Sequence, residues 1–344
     1  MKSPFLDACS LKPVERIPIW FMRQAGRSIP EYQKIKGSKN MLDVSLDPET
    51  AATITLLPEK YYDIDALVLF SDITIGFVKA QLNMKLVSNL GPIFFGDFDF
   101  NKETLQLKSL KKSDFKEISQ TIKIVKKKSS LPLIGFVGGP FTLACYLIER
   151  QAKKNWLKTR RYLYENPKAF ADLINVLTDL SQLLIEVQIQ AGVDAIQIFD
   201  SWAGILSSEQ FLTFCQEPLK KIADLTNKSG CPGIYFSLDN YHLLPLIKQT
   251  QFSVLSLDWK VSLLKARELL GSDIALQGNL DPLICLGSFD LIEYHAKKIL
   301  DEMASMPGFI FNLGHGVLPE TPYKNLAKLC NFVHNYPEKK NNNL

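Results

Sequence analysis

The chain has 344 residues, 46% of them hydrophobic and 22% charged, with 40 basic against 36 acidic side chains and a net charge of +4. That length can bury a core without disulfide or metal staples, and the composition excludes a disordered or low-complexity chain. The near balance of charge gives no reason to expect a nucleic-acid partner, and the densest basic stretch, Lys123 to Lys128, reads as a solvated helix end.

In chain order, eight short and nearly continuous apolar runs alternate with longer helical patterns: Ile17–Phe21, Ala66–Phe70, Leu133–Val137, Ala195–Phe199, Gly233–Ser237, Val254–Leu257, Ile274–Gln277 and Phe309–Asn312. Unbroken apolarity is the mark of parallel strands covered on both faces. Residues 83–128 form an insertion between the second and third runs, helical around Glu117 to Lys127. Asn166-Pro167 opens a helix as N-cap and first-turn proline, and Gly192 closes it. Ser207 with Gln210 forms a capping box, Pro218 kinks or splits the helix that follows, and Gly230 ends it. Val261 to Leu270, stopped by Gly271, is a further helix.

Strands alternating with helices predict an α/β fold, a single (β/α)8 TIM-type barrel spanning residues 1–336 with its active site at the C-terminal strand ends. An open doubly wound sheet would need a glycine-rich phosphate loop, and no Gly-x-Gly-x-x-Gly is present. Residues 337–344 are polar and expected to be a disordered tail. The six cysteines, Cys9, Cys145, Cys215, Cys231, Cys285 and Cys330, are scattered without a Cys-x-x-Cys clip, which fits a reducing compartment better than a disulfide framework. With no signal-peptide pattern and no apolar stretch of membrane-spanning length, the expected location is the cytoplasm.

The residues after each run place polar chemistry on one rim. They include Arg23 and Arg27 after the first run, Asp72 after the second, Tyr146 a turn beyond the third, Ser201 after the fourth and His315 between glycines after the last. The arginines suit bidentate carboxylate binding, and Gly26 between them lets the backbone turn or approach a ligand. The rim therefore implies a substrate with several carboxylates. Nucleophile-elbow, Walker and His-Glu-x-x-His patterns are absent. Plainer readings exist: Arg23 and Arg27 in surface ion pairs, Asp72 as a helix N-cap, Tyr146 in the core, and Ser201, Asp239, Asp258 and Asp281 as caps. His242, His295 and His334 read as structural or surface residues.

The string from Trp20 to Arg27, followed by Pro30-Glu31-Tyr32, closely resembles the N-terminal signature of uroporphyrinogen decarboxylases. Phe70-Ser71-Asp72-Ile73, Gly135 to Leu143, Gln197 to Gly204, Gln277 to Pro282, and Asn312 to Gly316 with Pro319 also resemble that family and follow in its order. The resemblance implies a homodimer with facing clefts and neither metal nor organic cofactor. The reaction it implies is decarboxylation of the four acetate side chains of uroporphyrinogen III to methyls, giving coproporphyrinogen III. It implies Asp72, Arg23 and Arg27 as catalytic candidates. The substrate-binding candidates are Arg23, Gln24, Ala25, Gly26, Arg27, Lys36, Asp72, Tyr146, Ser201 and His315.

Three departures stand out. Ser28 replaces a usual aromatic, Lys36 replaces a frequent arginine, and Glu149 to Lys154 replaces a glycine-rich loop and should be stiffer and more cationic. A pyrrole acetate loses carbon dioxide only if the ring is first protonated, so an anion beside the cationic ring is needed, and Asp72 is the candidate. The proton donor stays open between His315, a water held by Tyr146 and, as a poor acid, an arginine. A zinc-dependent methyltransferase on the same barrel and a tetrapyrrole-storage protein are the competing readings. His315 has no nearby cysteine in sequence, and a carboxylate at position 72 would hinder simple anion storage.

Overall fold

Seven of the predicted runs become strands of one parallel sheet in the computed structural model, which describes residues 3–87, 90–153 and 155–337. The strands in chain order are β1 (Leu67–Val68), β2 (Met84–Val87), β3 (Gly91–Phe94), β4 (Leu133–Gly138), β5 (Ala195–Phe199), β6 (Gly233–Phe236), β7 (Val254–Ser256), β8 (Ala275–Leu280) and β9 (Phe309–Leu313). The seven-stranded sheet has the order β1-β4-β5-β6-β7-β8-β9, every pair parallel, and curls so that one face turns inward. β2 and β3 form a separate antiparallel hairpin inside the insertion. The helix expected in this insertion is present as Lys116–Lys128, and the hairpin is additional to it.

Strand periodicity sorts the core into two sides. Ala66, Val68, Ile134, Ala195, Ile234, Phe236, Val254, Ala275 and Ile310 form the inner cluster, joined at one end by Phe5, Ala8 and Cys9 of the first helix. Their neighbours, Leu67, Leu133, Ile196, Ile198, Tyr235, Leu255, Leu276 and Phe311, pack outward against helices. A polar layer crosses the interior. Trp20 Nε1 donates to Gln277 Oε1 at 2.9 Å, and Gln277 Nε2 donates to Ser256 Oγ at 2.9 Å and to Gln197 Oε1 at 3.3 Å. Buried amides paired this way avoid the desolvation cost of about 1–3 kcal/mol for each unsatisfied group.

The first predicted strand, Ile17–Phe21, is corrected. It makes a single parallel bridge, Ile19 to Phe311, and no ladder. Pro18 accepts from Phe311 N at 2.9 Å but has no N–H of its own, and the Ile19 N–H goes to the Asp65 carboxylate at 2.7 Å. Both donors a ladder would use are thus missing or taken. On the other side, Asp65 N donates to Ile19 O at 2.8 Å, so the segment lies between the last strand and the approach to the first.

The helix signals translate well. Pro167–Ala191 ends at Gly192 with φ 110°, and Ser207 and Gln210 cap one another. The helix containing Pro218 is split into Ser208–Phe214 and Gln216–Lys228, which leaves the proline in a first turn where no N–H is needed. Val261 to Leu270 shortens to Leu263–Leu270, because Ser262 takes the N-cap. No helix among the described residues is long and apolar enough to cross a membrane. Of the tail expected to be disordered, residues 337–344, all but Pro337 lies outside the described residues.

Candidate active site

The rim is organised by the turn that follows Phe21. Arg23 takes a left-handed backbone, φ 65°, which costs a side-chain-bearing residue about 1–2 kcal/mol. Gln24 holds the turn: its Oε1 accepts from Phe21 N at 3.0 Å and its Nε2 donates to Ala66 O at 3.0 Å. Gln24 is fully buried with both amide atoms committed to backbone, so its side chain serves the turn. Met22 O accepts from Val317 N at 2.8 Å, tying this turn to the one after β9. There the Arg23 side chain lies directly on Gly316, where a Cβ would come within 2.4 Å of Arg23 Cδ.

Arg23 keeps solvent access along the cleft, yet protein crowds it on most sides, and this desolvation lowers its pKa from the ordinary arginine value. Tyr146 and Asp72 act to raise it, and Arg27 to lower it. These couplings bring together four of the residues singled out in the sequence. Asp72 is half-buried beyond β1, and its Oδ1 accepts from Thr74 N at 2.8 Å and from Thr74 Oγ1 at 2.5 Å. Tyr146 projects from the helix Pro140–Glu149, its hydroxyl accepting from Trp202 Nε1 at 3.3 Å. Burial pushes the Tyr146 hydroxyl up, the Trp202 hydrogen bond opposes this, and the Asp72 carboxylate adds to it.

His315 joins the cluster through Arg23. Burial first, and the neighbouring Arg23 cation second, together push its imidazole down to about 4. The ring is therefore neutral near pH 7, with about one molecule in a thousand protonated. It meets Phe236 edge-on at 6.0 Å. From Phe236 an aromatic surface continues to Phe199 at 6.2 Å and on to Phe136 at 5.4 Å. Phe199 and Phe136 are only partly buried, so the cleft has an apolar floor with charged groups around it.

Ala25, Gly26 and Ser201 are half-buried on the rim, and Arg27 is exposed there and adds to the local positive potential. Lys36, last residue of the helix Pro30–Lys36, is half-buried. The capping assignment holds for Asp281, which accepts from Leu283 N at 2.9 Å; Asp258 instead ties two loops, accepting from Asp239 N at 2.6 Å and Lys260 N at 2.9 Å, and Asp239 pairs with Lys260. His334 faces Asp63 at 3.0 Å and Asp65 at 2.8 Å, a structural role.

Thr74, Trp202, Gly316 and the buried pair Asp200 and Thr142 were not singled out from the sequence. Asp200 accepts from Thr142 N at 2.8 Å and from Tyr235 OH at 3.2 Å, while Trp202 N donates to Thr142 Oγ1 at 3.1 Å, which fixes the turn carrying Ser201 and Trp202. Burial raises Asp200 to about 6. Among the described residues no three His, Cys, Asp or Glu side chains gather as metal ligands, and all six cysteines are buried.

Residues 1–336 match the family model described as uroporphyrinogen decarboxylase (URO-D). Among curated relatives, the uroporphyrinogen decarboxylase of Geobacter metallireducens is 39% identical over 98% of this chain and 100% of its own length. That of Geobacillus sp. (strain WCH70) is 37% identical, covering 98% of each. A solved methyltransferase from Methanosarcina mazei superimposes with a TM-score of 0.78 at 20% identity, covering 96% of this chain and 97% of its own. A B12-independent methionine synthase from Shewanella sp. W3-18-1 gives 0.56 at 14%, covering 83% and 87%. At those identities the structural likeness concerns the fold alone. The full-length match and the curated relatives make this chain a member of the uroporphyrinogen decarboxylase family.

Proposed function

We propose that this chain decarboxylates uroporphyrinogen, converting its four acetate side chains in succession to methyls and releasing coproporphyrinogen, with the rim around Arg23, Asp72, Tyr146 and His315 as the active site. The observation that carries this reading is a carboxylate, Asp72, electrostatically coupled to Arg23 and Tyr146 beside an aromatic floor. A macrocycle of four pyrrole rings joined by methylene bridges, apolar on its faces and rimmed by carboxylates, matches that surface.

The chemistry follows from the substrate's own electrons. Protonation of a pyrrole carbon makes the ring an electron sink. The bond between the acetate methylene and its carboxylate then breaks, its electron pair passes into the ring, and carbon dioxide leaves. The exocyclic carbon takes a proton to become methyl, and the ring returns to neutrality by losing one. No step requires an added oxidant or organic cofactor. Asp72, with Oδ1 fixed by Thr74, would offer Oδ2 to pyrrole N–H groups and stabilise the transient cation. Arg23 and Arg27 would pair with substrate carboxylates and hold the reacting acetate out of the ring plane.

Neutral His315 is poorly placed to serve as the acid near pH 7 and better suited to donate a hydrogen bond to a carboxylate. That leaves a water held by Tyr146, whose own phenol keeps its proton, or an arginine as the proton source. Ser201, Ala25, Gly26 and Lys36 complete the proposed contact set.

The same reading extends to assembly. The sheet closes into an eight-membered barrel through the segment around Ile19, supported by its bonds to both Phe311 and Asp65. Residues 1–336 act as one domain. A cytoplasmic homodimer pairs the clefts, for which exposed Tyr241 and Trp259 beyond β6 and β7 offer apolar area. The test is anaerobic incubation with uroporphyrinogen under reducing conditions and chromatography of the products. Stepwise appearance of hepta-, hexa-, penta- and tetracarboxylic products is expected. Unchanged substrate would overturn the reading.

A further inference from the structure

Arg150 carries more interactions than a surface arginine needs. It ends the helix that bears Tyr146 and adopts a left-handed backbone, φ 64°, unfavourable for any residue with a Cβ. Its side chain is only 11% exposed and forms an ion pair with Glu103 at 2.6 Å, the glutamate being 8% exposed. Nε donates to Gly96 O at 3.1 Å, Nη2 to Phe95 O at 3.3 Å and Nη1 to Leu147 O at 3.4 Å. The guanidinium also lies 4.7 Å from the Phe94 ring. On the backbone, Arg150 O accepts from Phe94 N at 2.7 Å, and Gln151 bridges Ile93 in antiparallel fashion.

These contacts join two parts of the site. Toward Tyr146, Arg150 N donates to Tyr146 O at 3.0 Å. Beyond it, Trp156 stacks edge-on to Tyr146 at 5.6 Å and lies 5.1 Å from Trp202, the residue that donates to the Tyr146 hydroxyl. Toward Asp72, the Phe94 ring under the guanidinium packs on Phe77 at 5.6 Å. Phe77 belongs to the short helix Ile75–Lys79, whose approach is fixed by the Asp72–Thr74 hydrogen bonds. A fork-shaped cation with several directed donors can register two elements in a way a flexible ammonium cannot.

We propose that Arg150 is a positioning residue: by clamping the hairpin β2–β3 and Glu103 to the end of the Tyr146 helix, it sets the separation of Tyr146 and Asp72 across the cleft. The proposal rests on the reading of Tyr146 and Asp72 as active-site groups. It separates Arg150 from a purely structural role, because a lost clamp misplaces the reacting geometry while the fold persists.

The test compares the full chain with Arg150→Gly, Arg150→Lys, Tyr146→Phe and the double variant Arg150→Gly with Tyr146→Phe, assayed on uroporphyrinogen. Glycine accepts the left-handed backbone, so Arg150→Gly removes the clamp without adding strain. Its kcat is expected to fall about 10-fold or more, in keeping with displacements of an ångström or less, with KM changed less than kcat. Arg150→Lys, which keeps the charge but loses the fork, should fall between. In the Tyr146→Phe background Arg150→Gly should cost less than about 3-fold, the non-additivity expected of groups acting as a unit.

Normal kcat in folded Arg150→Gly, at a temperature well below its melting transition, would overturn the proposal. So would an undiminished effect in the Tyr146→Phe background. If Arg150→Gly does not fold, Arg150→Lys decides by the same kcat criterion. Tyr146→Phe with full activity would instead remove Tyr146 from the site, and wild-type protein inert toward uroporphyrinogen would remove the functional reading; either also ends the proposal.

Discussion

Gly316→Ala tests the cluster without substituting a charged residue. Gly316 has no positive φ, so the backbone admits alanine. The new methyl would stand 2.4 Å from Arg23 Cδ and 2.9 Å from both Cγ and Nε. Reaching the 3.4 Å of ordinary contact obliges the Arg23 side chain to retreat by about 1 Å at Cδ, and the guanidinium moves with it. A misplacement of that size can cost about 10²-fold in rate. We therefore expect kcat/KM for uroporphyrinogen to fall by one to two orders of magnitude, roughly 10- to 100-fold. Because the obstructing atoms belong to a flexible side chain with solvent access, overpacking should cost no more than about 1–3 kcal/mol of stability. In an Arg23→Ala background the obstruction is gone, and Gly316→Ala should add almost nothing. Unchanged kcat/KM in the folded single variant would refute the idea that Arg23 acts from the position Gly316 gives it.

Other expectations follow from the same contacts. His315 has a folded pKa of about 4 against an ordinary 6.5, so the unfolded chain gains its proton first and stability is lost as pH falls from about 6.5 to about 4, by at most about 3 kcal/mol. Asp200, raised to about 6, acts in the opposite sense over an overlapping window. The difference in melting temperature between wild type and His315→Gln is therefore the quantity to follow. It should shift in favour of the variant toward pH 4, and a constant difference would contradict the buried neutral ring. Lys36→Ala should raise KM more than it lowers kcat, while Lys36→Arg should be tolerated; steady-state constants unchanged in both would leave Lys36 a surface charge. Activity should survive exhaustive chelation, and a loss reversed by added zinc would favour metal-dependent methyl-transfer chemistry.

Much of this was legible because the sheet is covered on both faces. β4, β5, β8 and β9 lie within or beside unbroken apolar runs, since inward and outward positions are both buried. Ile17–Phe21 has the same composition but forms no ladder, because Asp65, distant in sequence, takes its backbone donor. The hairpin Met84–Phe94 is built from strands too short for periodicity to reveal. At the site, residue chemistry was legible and direction was not. Gln24 sits between the two arginines in sequence, yet its amide turns inward to Ala66. Thr74, Trp202 and Gly316 act through partners that are apparent only once the chain is folded. The departure at Glu149 to Lys154 signalled a stiffer, more cationic segment. Its anchoring runs through Arg150 to the hairpin and through Glu149, buried and accepting from Thr159 N at 3.0 Å. Lys154 lies outside the described residues.

Single-turnover kinetics of Asp72→Asn, with a parallel melting curve, decides whether Asp72 stabilises positive charge on the reacting ring as proposed. Asparagine keeps an oxygen to accept from Thr74 N and Thr74 Oγ1, so the local turn should survive and melting should change little. Removing the charge should lower the single-turnover rate by at least about 10²-fold, as for other preorganised electrostatic groups. Substrate binding should weaken far less, because the proposed carboxylate partners Arg23 and Arg27 are unchanged. A variant that turns over at near wild-type rate but melts earlier, with a loss near the ~1 kcal/mol of a helix cap, would contradict the account and leave Asp72 as a structural acceptor for Thr74.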